Sequence, residues 1–200
     1  MTESALKCFL RASSLDDKGD TDGAIEAYRL CVEEIDPKYV LAWFNLGYLL
    51  MDQKKDIDGA EAAFNKAIEC DPKEPEVWNN LGYLLQTHKK DLAGAEAAFK
   101  KALEICPKSA YTWNNLGNLR MTHKKDIAGA EAAFNKAIEC DPKYAIAWMN
   151  MGLLLMNHKN DYAGAIIAFK KVLAIDPEYA DAKYSVDYIF EVLLYDGGIP

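Results

Sequence analysis

The sequence predicts an all-α chain of stacked helix-turn-helix units, with a 35-residue period and a capping helix at its C-terminal end. Three observations carry this. Tryptophans recur at 43, 78, 113 and 148, glycines at 47, 82, 117 and 152, and prolines at 72, 107, 142 and 177, each set in steps of 35. Within each period apolar residues return at intervals of three and four, the spacing of one helical face. The stretch GAEAAFNKAIECDPK occurs unchanged at 59–73 and 129–143. A fixed period of this size marks a repeat array, in which each unit is stabilised mainly by its neighbours.

Each unit reads as two helices. In the first, Trp43, Leu46, Gly47 and Leu50 share one face. Gly47, without a side chain, lets a neighbouring helix come close. In the second, Ala60, Ala63, Phe64, Ala67 and Ile68 share a face, where small residues beside one ring suit tight helix packing. Asp56, Asp91, Asp126 and Asp161 precede the second helices. A short carboxylate there accepts from free first-turn N–H groups and meets the positive end of the helix dipole. Pro72 and its equivalents end each unit. At the start of the chain, Thr2 is the expected N-cap of the first helix.

Composition narrows the partners. Half of the 200 residues are hydrophobic, enough for a core, and the formal charge is −8. An acidic chain argues against a nucleic-acid partner, which needs a concentrated basic face. No apolar run reaches eighteen residues, so no membrane span is expected. The N-terminal residues lack the layout of a secretory signal. Cys8, Cys31, Cys70, Cys106 and Cys140 are odd in number and form no CxxC pair. They read as reduced, part-buried small hydrophobes, which suits a cytoplasmic location.

The combination W-x2-L-G, A-x3-F, P resembles the tetratricopeptide repeat (TPR). Trp43, Leu46, Gly47, Ala60, Phe64 and Pro72 match it, as do the units starting at Trp78 and Trp113; the unit at Trp148 has Met151 for leucine. A degenerate first unit carries Ala24 and Tyr28 in place of alanine and phenylalanine. The expected organisation is a single array over 1–200: repeat 1 at about 3–37, then 38–72, 73–107, 108–142 and 143–177, with a capping helix and tail over 178–200. The resemblance covers about residues 3–178 and implies a right-handed α-solenoid whose first helices line the concave face. Two departures stand out. The usual tyrosine three residues after the glycine is Leu50, Leu85, Arg120 or Leu155. The period is also one longer than the family's 34. Tryptophan and alanine are 17 apart, so the extra residue belongs to the turn within each unit, where a longer turn is expected.

The terminal helix is expected from about Ala180 to Tyr195. Its apolar residues cannot all face the last repeat, so Tyr184, Tyr188, Ile189, Phe190, Leu193 and Leu194 form a candidate second interface, including a homodimer. His88, His123 and His158 recur in the turns. Equivalent positions lie roughly 10 Å apart, too far for one ion with bonds of about 2 Å, so no metal is expected. Lys54, Lys55, Lys89, Lys90, Lys124, Lys125 and Lys159 read as a solvated basic edge. No nucleophile, phosphate-loop or zinc-protease motif is present, and no enzyme or cofactor is expected.

The candidate binding site lies on the first helices. Beside the core stripe runs a second one: Phe44, Tyr48 and Met51; Asn79, Tyr83 and Gln86; Asn114, Asn118 and Met121; Met149, Leu153 and Met156. Leu41, Glu76, Tyr111 and Ile146 extend it by one turn. Asn45, Asn80, Asn115 and Asn150 recur at its margin, where amides that both donate and accept can grip a peptide backbone. This resembles the asparagine ladder of the O-linked N-acetylglucosamine transferase superhelices. A second comparison is negative. Co-chaperones of the family hold heat-shock-protein C-termini with a two-carboxylate clamp that needs lysines, and those slots here are Phe44, Asn79, Asn114 and Met149. The expected function is a non-enzymatic scaffold that binds a peptide or protein segment in its concave groove. The alternatives are the substrate-recruiting part of a larger enzyme, such as a glycosyltransferase, and a self-associating assembly protein.

Overall fold

A computed structural model describes residues 3–195, without the side chains of Lys124 and Tyr195. Thr2 and the terminal GGIP lie outside the described residues. Eleven α-helices and no strand are present among the described residues: α1 (Glu3–Asp17), α2 (Thr21–Leu30), α3 (Val40–Leu49), α4 (Ile57–Cys70), α5 (Pro75–Leu84), α6 (Leu92–Ile105), α7 (Ala110–Leu119), α8 (Ile127–Cys140), α9 (Ala145–Lys159), α10 (Tyr162–Ile175) and α11 (Ala180–Tyr195). The chain divides into two compact bodies. Met1–Pro107 holds α1–α6, and Lys108–Pro200 holds α7–α11.

Each second helix is started by its aspartate. The carboxylates of Asp56, Asp91, Asp126 and Asp161 accept from the backbone N–H of Gly59, Gly94, Gly129 and Gly164 at 2.9–3.0 Å, as expected for N-caps. Each first helix then meets its partner at the glycine. A Cβ placed on Gly117 would lie 2.5 Å from the Phe134 ring, and Gly47, Gly82 and Gly152 face Phe64, Phe99 and Phe169 in the same way. These rings are fully buried. Repacking around an added methyl displaces an aromatic ring and the backbone beneath it, which costs about 1–3 kcal/mol.

The extra residue of the period is not in a longer loop. It is taken up at the end of the first helix, where Leu50–Lys54, Leu85–Lys89 and Arg120–Lys124 form wide π-helical turns. A π turn absorbs one inserted residue without breaking the helix. Lys55, Lys90, Lys125 and Asn160 then adopt left-handed φ angles of 52–59°. The next N–H, from Asp56, Asp91, Asp126 or Asp161, donates six residues back at 2.9–3.0 Å. This closes the helix end in the manner usually reserved for glycine. The tryptophans also differ from expectation. They are half-buried braces, and the indole N–H of Trp43, Trp78 and Trp148 donates to the carbonyl of Pro37, Pro72 and Pro142 at 2.9–3.0 Å.

The five cysteines are free thiols. Cys8 and Cys31 are buried between α1 and α2, with their S–H groups directed at the carbonyls of Ala27 and Ala5. Burial, followed by the neighbouring Cys8, pushes the Cys31 thiol up to about 11. The folded state therefore holds this proton more tightly than the unfolded chain. The associated stability is complete below the ordinary thiol range and is lost as pH rises from about 9 towards 11.

Two outcomes follow from this packing. Gly117→Ala lowers the unfolding free energy by about 1–3 kcal/mol in urea titration, and a wild-type midpoint would refute the ring-on-glycine seat. Stability measured between pH 8 and 11 falls with rising pH, and Cys31→Ala flattens that slope.

Candidate functional site

The first helices are enclosed on three sides. The Trp43–Gly47–Leu50 side meets the helix of the same pair. Ala42 and Leu49 are buried to one flank, while Phe44 and Met51 are covered on the other. What remains open is a narrow strip: positions 41, 45, 48 and 52 fall within about 60° at 100° per residue. Leu41, Tyr48, Tyr83, Tyr111 and Ile146 on this strip are 40–51% exposed. Glu76 is also exposed, and Asn118 and Leu153 are half-buried. In the N-terminal body the strip runs on α3 and α5; in the C-terminal body it runs on α7 and α9.

This corrects the wider stripe read from the sequence. Asn79 and Asn114 are 3% exposed, and Met149 is buried with them. Phe44 is half-buried, its ring 6.2 Å from that of Phe64 at 44°. Met51 and Gln86 are buried, and Met121 and Met156 pack against the cores. The reason is geometric: Phe44 and Met51 pack into the core of the N-terminal body and Asn114 meets Asn150 on α9, and periodicity alone does not distinguish such cover from an open groove.

The recurring amides split into different roles. Asn150 donates from Nδ2 to Oδ1 of Asn114 at 2.8 Å, joining α9 to α7. Asn45 donates to the Tyr28 hydroxyl at 3.0 Å. Burial raises the Tyr28 pKa, and the Asn45 bond opposes this in part. Asn115 is buried, at 9% exposure. Asn80 is half-buried, and the residue 36 before it, where Asn150 finds Asn114, is Phe44, which offers no amide oxygen. Sequence reasoning treated the four as equivalent; the Phe44/Asn114 difference one unit earlier was the signal that separates them.

Three lysines of the basic edge are paired. Lys54 bridges to Asp22, Lys89 to Asp58 and to Glu61 at 3.1 Å, and Lys159 to Glu131 at 2.9 Å. Each acid sits on the second helix of the preceding pair, and such exposed bridges contribute little individually. Lys89 has a raised pKa, chiefly through its bond to Asp58. The residues after the first of each lysine pair, Lys55, Lys90 and Lys125, spend their backbone on the left-handed cap. Among the described residues, no group of three His, Cys, Asp or Glu side chains is placed to hold a metal ion. No described helix is long and apolar enough to cross a membrane.

On α11 the expected interface is smaller than the sequence suggested. Ile189 is fully buried and Leu193 packs against the core of the C-terminal body, because both lie on the side facing α10. Tyr184, Tyr188, Phe190 and Leu194 remain exposed.

Comparison with known proteins agrees with this architecture. A family model described as tetratricopeptide repeat matches residues 9–75 and 113–180, and a second of the same description matches 63–97. No curated protein matches the chain at a significant level. Among solved structures, MamA is 25% identical over 85% of this chain and 96% of its own, with a TM-score of 0.72. PilF of Pseudomonas aeruginosa is 20% identical over 98% and 93%, with a TM-score of 0.79. YrrB, described as a TPR protein with an unusual peptide-binding site, is 20% identical over 90% and 91%, with a TM-score of 0.67. At these identities the likeness to PilF and YrrB concerns the fold. With its helix pairs, its ring-on-glycine seats and family matches over most of its length, this chain belongs to the tetratricopeptide-repeat family.

Proposed function

We propose that this chain is a protein-interaction module that binds an extended polypeptide segment along the open strip of its first helices. TPR proteins are generally interaction scaffolds, and the fold is typically non-enzymatic. One observation carries the reading: Leu41, Tyr48, Tyr83, Tyr111 and Ile146, one or two on each first helix, stand exposed on the one face that packing leaves free. Aromatic rings with a polar tip give contact area at low entropic cost and suit such a surface. The description of YrrB as peptide-binding supports the same use of the fold. A C-terminal carboxylate is not the expected handle, because the lysine positions of the two-carboxylate clamp are Phe44, Asn79, Asn114 and Met149.

Within this reading the amides divide the work. Asn45 and Asn150 are engaged inside the protein. Asn80, flanked on the strip by Glu76 and Tyr83, is the rung that grips a backbone. The glycosyltransferase alternative gains no support from any observed feature.

The test starts with peptides selected by display against the 200-residue chain and titrated by fluorescence anisotropy. Tyr48→Ala with Tyr83→Ala weakens them by about tenfold or more, as for buried aromatic contacts. Equal binding by that variant would reject the strip as the site. Asn80→Ala leaves the melting curve nearly unchanged but weakens binding. Asn150→Ala lowers stability by about 1–3 kcal/mol, because the buried Asn114 loses its donor. Wild-type affinity in Asn80→Ala would remove the rung while leaving the strip intact.

A further inference from the structure

Cys8 and Cys31 meet in the first helix pair, at positions where the other pairs carry no thiol. Position 8 corresponds to Trp43, Trp78, Trp113 and Trp148 on the other first helices. Position 31 lies three residues after Tyr28, as Ala67, Ala102, Ala137 and Val172 lie three residues after Phe64, Phe99, Phe134 and Phe169. Four units therefore have a tryptophan and a small aliphatic residue at this pair of positions. The first unit has cysteine at both.

Each thiol reaches across to the opposite helix. The Cys8 S–H donates to the Ala27 carbonyl at 3.3 Å, and the Cys31 S–H donates to the Ala5 carbonyl at 3.6 Å. Ala27 lies one turn before Cys31, and Ala5 one turn before Cys8. The Ala27 carbonyl also accepts from the backbone N–H of Cys31, so the Cys8 sulfur rests on an oxygen already bound to Cys31. The side chains are close enough for Cys8 to act on the Cys31 thiol by charge and by hydrogen bond. A surface cavity of about 240 Å³ reaches Cys8, with Arg11, Glu26 and Leu30 in its lining, while Cys31 is fully enclosed. The equivalent cavity of the next pair, at Trp43 and Leu46, stays open although Arg29 of the preceding α2 forms part of its wall.

We propose that Cys8 and Cys31 form a reversible disulfide that cross-links α1 to the end of α2. The oxidant is a low-molecular-weight disulfide. The Cys8 thiolate attacks one of its sulfurs from the cavity, and one small thiolate leaves. The Cys31 thiolate then attacks the Cys8 sulfur of the mixed disulfide, and the second small thiolate leaves. The two protons lost from the protein go to the two released thiolates, so one disulfide is consumed and one is formed. Burial holds the Cys31 proton tightly, which makes this sulfur a poor leaving group and slows reduction of the bond there. The cross-link restricts the unfolded chain between positions 8 and 31. Oxidation thereby tightens the pair whose Tyr28 holds Asn45 at the margin of the strip.

Equilibrating the folded 200-residue chain with oxidised glutathione, then alkylating the remaining thiols, tests this. Peptide mapping by mass spectrometry finds positions 8 and 31 linked, the thermal midpoint rises above that of the reduced chain, and dithiothreitol reverses both. Cys8→Ala and Cys31→Ala each abolish the link and the shift. Alanine occupies the position of Cys31 in three other units, so the second variant suits the fold. The triple variant Cys70→Ala, Cys106→Ala, Cys140→Ala keeps the link and the shift. Recovery of Cys8 and Cys31 as alkylated thiols after oxidation would overturn the proposal, as would a link that leaves the midpoint unchanged or a shift that persists in Cys31→Ala.

Discussion

A phenylalanine ring lies on a glycine in each of four successive helix pairs, and the rest of the structure follows from that contact. The glycine brings the two helix backbones together, and the ring fills the space that a Cβ would occupy. With the pair closed at this point, the small residues of the second helix can be fully buried, as Ala60, Ala63 and Ala67 are. The aspartate cap at the start of the second helix and the tryptophan brace at the start of the first fix the two ends of the pair. None of these contacts is large alone. Their repetition makes stability a sum over pairs and their neighbours.

Close pairing also determines what is left for binding. A first helix held by its partner on one side and by neighbouring pairs on two others exposes only a strip about two side chains wide. Polar residues beside that strip are enlisted in holding pairs together, as in the part-buried Asn150–Asn114 bond. The exposed positions are then free to be apolar without cost to the fold, and Leu41, Tyr48, Tyr83, Tyr111 and Ile146 are apolar there.

The 35-residue period is accommodated by the same economy of change. An inserted residue in a connecting loop would move the second helix away from its seat. A π turn within the last turn of the first helix keeps the axis and lets the left-handed residue and the aspartate cap follow in unchanged order. Lysine or asparagine takes the left-handed position. In the case of Lys54 and Lys89, the lysine just before it reaches an acid on the preceding pair, so the turn also tethers neighbours.

The amino-acid sequence alone determined the class of fold, the helix pairs, the glycine and phenylalanine seats, the aspartate caps and the limits of α11, Ala180–Tyr195. These are local or periodic properties, and helical spacing and capping chemistry act within a few residues of the position that shows them. The tertiary structure decided which apolar positions are covered. Asn79, Asn114, Met149 and Ile189 looked available and are buried; Asn114 is covered from α9 and Ile189 from α10, neighbours that periodicity does not reveal. It also decided that the recurring asparagines differ: Asn45 bonds Tyr28 and Asn150 bonds Asn114, whereas the residue 36 before Asn80 is Phe44, which offers no amide oxygen. Periodicity reports that a face is apolar or amide-bearing. Only the packing of neighbouring pairs decides whether that face meets protein or solvent.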